Sequence, residues 1–198
     1  MLITKDSCDP SDLELFIKKC RRLGYRDHKD IKQLEIEKTI NEKWGKFFYT
    51  YKNNNIIAIS GCHEFSVMRF EPNTHWIDGL NVCFRGAQLP GEDTYKALNK
   101  YHMNSIPFRE HVPLAIEWGK SLGYNRFFIT THNWYGTPAN LYVGPSRKHN
   151  RTNAAMKLLN KLGVMKYHGD AYIENYNQTV WELNQDEYFR LQAFTKNS

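Results

Sequence analysis

The sequence predicts a single α+β domain, with strands paired mostly antiparallel and helices on both sides of them. Three observations carry this. Polar helical stretches come first and a run of β-type segments follows. A helix then leads directly into the short apolar strand Arg126–Thr131. A further helix ends at Lys161, Leu162 and Gly163, and a hairpin closes the chain.

Each element has its own signal. Ser11 and Glu14 form an S-x-x-E capping box, and Leu13, Phe16, Ile17, Cys20 and Leu23 fall on one helical face behind it. Gly24 then stops the helix. Asp30 and Gln33 repeat the capping logic for a second helix over about residues 31–43. Phe47–Tyr51 and Ile56–Phe65 read as strands joined by the turn Asn53, Asn54, Asn55, because Asn tolerates positive φ. Thr74–Phe84 reads as a third strand, with Trp76, Leu80 and Val82 on one parity and a bulge or a close backbone approach at Gly79. Arg85–Asn104 is a polar, poorly patterned insertion. A helix is expected over about Pro107–Leu122 with Gly123 as its cap, and Pro113 should kink it or delay its start. The last long helix covers about residues 147–162. Tyr167–Ile173 and Gln178–Leu183 pair as a hairpin, and Asp186–Phe194 forms a short terminal helix.

Composition bounds the function. The 198 residues are 41% hydrophobic and 14% aromatic, enough for one substantial core. No apolar run approaches the ~20 residues that span a bilayer, and the N-terminus lacks a signal-peptide core, so a cytoplasmic protein is expected. Cys8, Cys20, Cys62 and Cys83 have neither C-x-x-C nor zinc-finger spacing, so free thiols and no metal site are expected. A net charge of +6 favours anionic partners, although the basic residues are spread along the chain. Abundant Asn, Lys, Ile, Tyr and Phe suit an AT-rich genome, as in many bacteria and phages. The chain has no Walker loop, G-x-S-x-G or H-E-x-x-H, so nucleotide hydrolysis, serine-hydrolase and zincin chemistry lack their signatures.

The element order, closed by Thr152, Ala155, Leu158, Leu159, Lys161, Gly163 and Val164, resembles the GNAT acyltransferase family. The resemblance spans roughly Leu13–Leu183. It implies a GNAT-like mixed, mostly antiparallel central sheet over the whole of residues 1–198, with an insertion at about 85–104. It also implies transfer of an acyl group from acetyl-CoA or another acyl-CoA to an amine acceptor. The family holds the cofactor's pyrophosphate in a glycine-rich turn at the start of its central helix, where backbone N–H groups and the helix dipole favour anions. The corresponding stretch here, Met103–His111, has no glycine, and Pro107 and Pro113 remove two N–H donors. Ser105 and Arg109 are its candidate phosphate contacts; Arg109 reads equally well as paired with a surface carboxylate. The family's last helix carries a tyrosine that protonates the leaving thiolate. Leu159 stands at that position and cannot act as an acid; Tyr167 and Tyr142 are the nearby substitutes, neither at the motif position.

The resemblance implies a general base on the middle strands, and His63, Glu64, His75 and Asp78 are the candidates. His63 and Glu64 alternate onto opposite faces. His132 and Asn133, with Thr130 and Thr131, follow the strand that splays from its neighbour in that fold. They would sit at the mouth of the pantetheine cleft. The catalytic expectation is thus His63, Asp78 and His132. The cofactor-binding expectation is Ser105, Arg109, Thr130, Thr131 and Asn133. In the insertion, Tyr95, Lys96, Lys100, Tyr101 and His102 suit single-stranded nucleic acid, a lid or an oligomer contact alike. A second reading is a GNAT-like module without catalysis, contacting nucleic acid or an acidic protein. A third keeps the fold and takes its acyl group from a carrier protein or a charged tRNA.

Overall fold

The elements run β1 (Leu2–Lys5), α1 (Pro10–Arg22), β2 (Gly45–Lys52), β3 (Asn55–Phe65), β4 (Arg69–Phe70), β5 (His75–Trp76), β6 (Asn81–Gln88), a π-type turn (Pro107–His111) continuing into α2 (Val112–Ser121), and β7 (Arg126–His132). Helix α3 (residues 155–161), β8 (Met165–Ile173), β9 (Tyr176–Leu183) and α4 (Gln185–Lys196) complete the chain. The computed structural model describes residues 1–22, 45–65, 69–70, 75–76, 81–89, 105–132, 155–173 and 176–196. The expected second helix, Gly79 and the outer part of the insertion lie outside the described residues, as do Asp78 and Asn133.

Seven strands form one sheet in the order β1-β2-β3-β6-β7-β9-β8. Every neighbouring pair is antiparallel except β6 and β7, which run parallel with α2 between them in the chain. The β2–β3 turn places Asn53 at φ 51° and Asn54 at φ 60°. Two consecutive left-handed residues match the twist of a hairpin, which is why asparagines occupy them.

Strand alternation divides the core in two. Phe47, Tyr49, Tyr51 and Ile59 meet Leu13, Phe16 and Ile17 of α1 on one face. Phe48, Cys62, Val82, Phe84, Phe127, Ile129 and Trp181 meet Val112, Ala115 and Ile116 of α2 and Met156 and Leu159 of α3 on the other. Phe47 and Phe48 are adjacent in sequence and belong to opposite clusters, as a period of two requires. Phe16 is 1% exposed, and such full burial is worth roughly 1.5–3 kcal/mol.

Four sequence expectations change. The cap of α1 is Asp9, two residues before the Ser11 box: its carboxylate accepts the Ser11 N–H at 2.8 Å and the Ser11 hydroxyl at 2.7 Å. Those bonds hold the Asp9 carboxyl below its usual pKa. Pro10 takes the first helical position, where a missing N–H costs nothing. The expected strand Thr74–Phe84 is two strands: β5 pairs only with β4 in a separate ladder, and β6 enters the main sheet. The expected insertion starts later, because Arg85–Gln88 continue β6 against β3. Finally, β1 joins the sheet edge against β2, although a four-residue, largely exposed strand carries no readable period.

Helices α2 and α3 end alike. Gly123 at φ 87° and Gly163 at φ 74° take the left-handed position. The N–H groups of Tyr124 and Val164 reach back to Gly119 and Leu159, and those of Gly123 and Gly163 to Lys120 and Asn160. Both are Schellman ends whose next residue, Tyr124 or Val164, is buried.

Candidate functional site

The sheet divides between β6 and β7. Four parallel pairs join them, from Asn81↔Arg126 to Phe84↔Ile129. Beyond Phe84 and Ile129, β6 pairs only with β3 and β7 only with β9, and no ladder bond crosses between the two strands. A wedge therefore opens at the C-terminal ends of two parallel strands, a favoured ligand position in α/β sheets. An extended chain can enter it and meet strand backbone.

The helix that starts beside this wedge is shaped by its prolines. The Val112 N–H bonds to the Pro107 carbonyl, an i→i+5 step, and the turn is π-type. The wide turn follows from Pro113. A regular α-helix would give the Arg109 carbonyl the N–H of residue 113, which proline lacks. Widening the turn shifts that requirement onto Phe108. Its carbonyl now has Val112 diverted and Pro113 silent, so no backbone donor remains for it.

The C-terminal helix supplies the missing donors. The Tyr188 hydroxyl donates to the Phe108 carbonyl in a short bond, and Gln192 Nε2 donates to the same carbonyl at 3.4 Å and to the Tyr188 oxygen at 2.9 Å. Burial pushes the Tyr188 phenol up, so it stays a donor at any physiological pH. The Tyr188 ring also meets Phe108 edge-on at 5.1 Å. Pro113 therefore leaves its mark as a π-type turn near the start of the helix, and a regular α-helical run follows from Val112.

His111 closes the same turn from the sheet side. It is fully buried. Nδ1 lies 2.6 Å from Ser60 Oγ on β3, and Nε2 lies 2.7 Å from Thr50 Oγ1 on β2. Thr50 Oγ1 in turn meets Thr4 Oγ1 of β1 at 2.9 Å. A neutral imidazole has one donor and one acceptor nitrogen, so it satisfies one hydroxyl of each sense. Burial lowers its pKa to about 3, and the ring is uncharged near neutrality.

At the helix start, Ser105 provides the carbonyl that takes the first helical bond, from Arg109 at 3.0 Å. Ser105 Oγ accepts the Phe108 N–H at 3.3 Å, and Gln88 Oε1 at the end of β6 accepts the Ile106 N–H at 2.6 Å. Ile106 is 0% exposed, and Phe108 and Arg109 are each 7% exposed.

The expected site residues therefore separate. Ser105 and Arg109 adjoin the open end of β6, and Thr130, Thr131 and His132 lie on the diverging length of β7. His63 is two strands from β7 and pairs with Cys83 on the closed length of β6. Its alternation partner Gly61 faces the α1 side, where Phe47 covers it, so His63 shares that face. Leu159 is 1% exposed and packs in the core. The sequence reading missed Gln88, Thr50, Ser60, His111, Tyr188 and Gln192. Pro113 inside a helical pattern was the one available signal that a carbonyl would need an outside donor.

A second polar cluster lies across β7, β9 and β8. Arg126 binds Glu182 through both oxygens, at 2.7 and 2.9 Å, and His168 Nε2 lies 2.6 Å from the same carboxylate. His168 reaches it because it is the extra residue of a bulge between Tyr167 and Gly169. Burial alone would raise the Glu182 carboxyl, but the bonds from Arg126 and His168 hold it below its usual pKa. The cluster straps three strands together away from the wedge.

No protein-family model matches the chain, and no curated protein matches its sequence. Solved structures do match. A protein from Desulfovibrio desulfuricans assigned to the GNAT family superposes with a TM-score of 0.54 at 10% identity, over 92% of this chain and 98% of its own. The aminoglycoside N(6′)-acetyltransferase of Legionella pneumophila gives 0.53 at 12% identity, over 96% and 95%. YncA of Salmonella typhimurium, solved with its cofactor acetyl-CoA, gives 0.53 at 9% identity, over 92% and 93%. The chain has the GNAT fold, and the mixed, mostly antiparallel sheet expected from its sequence is the sheet observed. Among the described residues no helix is long and apolar enough to cross a membrane, and no group of side chains could hold a metal ion.

Proposed function

We propose that the protein is an N-acyltransferase that moves an acyl group from an acyl-CoA-type thioester to an amine. The wedge between β6 and β7 carries this reading, because it offers two strand edges to an extended, amide-bearing arm such as pantetheine. The amine nitrogen attacks the thioester carbonyl, a C–N bond forms and the C–S bond breaks. The thiolate leaves and takes a proton from solvent, since Leu159 cannot supply one. The amine's surplus proton passes to a base, for which His132 on the diverging length of β7 is favoured over Asp78, and over His63 beside the closed length of β6. Thr130, Thr131 and Asn133 keep their assignment to the pantetheine arm.

Thermal unfolding with acetyl-CoA, with ATP as the control, tests the reading. Ligand at 100 times its Kd stabilises by about 2.7 kcal/mol, roughly 5–10 °C for a chain of this size. A shift with acetyl-CoA alone, followed by thiol release in the presence of an amine panel, is the expected result. No shift at millimolar acyl-CoA sinks it. The second reading, a non-catalytic module that contacts nucleic acid or an acidic protein, is favoured by the glycine-free helix start and by Leu159. It expects binding that weakens steeply with salt and no response to thioesters.

A further inference from the structure

We propose that the acyl donor is recognised by its pantetheine arm and thioester, and that the nucleotide diphosphate of coenzyme A contributes little to its binding. This rests on the acyltransferase reading above and narrows its donor. A helix start attracts a diphosphate through the N–H groups of its first turn, which have no carbonyl behind them. Here the helical turn begins at Ile106, and its three leading positions are all used. The Ile106 N–H is held by Gln88 Oε1 at 2.6 Å, Pro107 has no N–H, and the Phe108 N–H is held by Ser105 Oγ at 3.3 Å. The next N–H, of Arg109, already bonds the Ser105 carbonyl.

The same turn is closed to solvent. Ile106 packs with Ile57 and Ala58 of β3, and Tyr188 and Gln192 of α4 are bonded onto the Phe108 carbonyl. Arg109, the side chain expected to reach a phosphate, is 7% exposed. To seat a diphosphate on these N–H groups, the chain would have to release Gln88 and Ser105 and expose a buried turn. The wedge needs no such change, because its strand edges are already parted beyond Phe84 and Ile129.

Two donors share this chemistry: free acyl-CoA, and a phosphopantetheine thioester carried on a protein. Titration calorimetry on the full chain compares acetyl-CoA, S-acetyl-4′-phosphopantetheine, adenosine 3′,5′-bisphosphate and an acetylated acyl carrier protein. The expected result is that acetyl-CoA and S-acetyl-4′-phosphopantetheine bind within about threefold of each other, and that millimolar bisphosphate does not displace acetyl-CoA. Tighter binding of the carrier-bound thioester would identify the carrier as source, equal or weaker binding the free cofactor; either supports the proposal. A loss beyond about thirtyfold on removing the nucleotide, or competition by the bisphosphate, overturns it and leaves the acyltransferase reading standing. Failure of every thioester to bind overturns both.

Discussion

Lowering the pH should destabilise this protein through one residue, His111. In the unfolded chain its imidazole titrates near the usual value of about 6.5. In the fold, burial between Ser60 and Thr50 brings it to about 3. The sign follows from proton counting. Between those two values the unfolded chain binds a proton that the folded chain does not, so stability falls as pH falls. The loss runs at about 1.4 kcal/mol per pH unit inside the window and flattens above about 7. From pH 7 to pH 5 it amounts to about 2 kcal/mol, a large part of a typical margin of roughly 5–15 kcal/mol. The assay is urea unfolding at both pH values for the wild type and for His111→Gln, which keeps one donor and one acceptor but has no charge to gain. Every other ionisable group is common to the two proteins and cancels in the difference. The variant should be less stable at pH 7 and should lose about 2 kcal/mol less between pH 7 and pH 5. Equal pH dependence in the two proteins would mean that water reaches His111 and that the buried Ser60–His111–Thr50 chain does not exist as described.

Two further substitutions test the packing beside the wedge. Tyr188→Phe removes the main donor to the Phe108 carbonyl and should cost about 1–3 kcal/mol in urea unfolding. In a Pro113→Ala background, where the helix regains a backbone N–H, the same change should cost clearly less, and additive costs would refute the orphaned-carbonyl argument. Gly119→Ala places a methyl 2.6 Å from the Phe127 ring and 3.2 Å from Val82, so the helix must move off the sheet. A loss of about 1–3 kcal/mol in the thermal midpoint analysis is expected, and a neutral result would mean that α2 sits farther from β6 and β7.

Elements with a short-range cause were legible. The apolar face of α1 has a helical period, the Asn53–Asn54 turn needs left-handed residues, and Gly123 and Gly163 mark helix ends that only glycine takes without strain. Even Pro113 announced that its helix would be irregular, because a proline's lack of an N–H is a property of the residue itself. The fold could also be reached from the order of these pieces. The site could not. Where β6 leaves β7 depends on pairing between strands far apart in sequence. The donors that answer Pro113 come from α4, with Tyr188 eighty residues beyond the Phe108 carbonyl it serves. His111 looked like any polar residue on a helix until β2 and β3 placed Thr50 and Ser60 against both its nitrogens. Periodicity and capping are local and can be read along the chain. Which buried donor meets which buried acceptor is settled only when the sheet and helices are packed, because that is when water is no longer there to satisfy them.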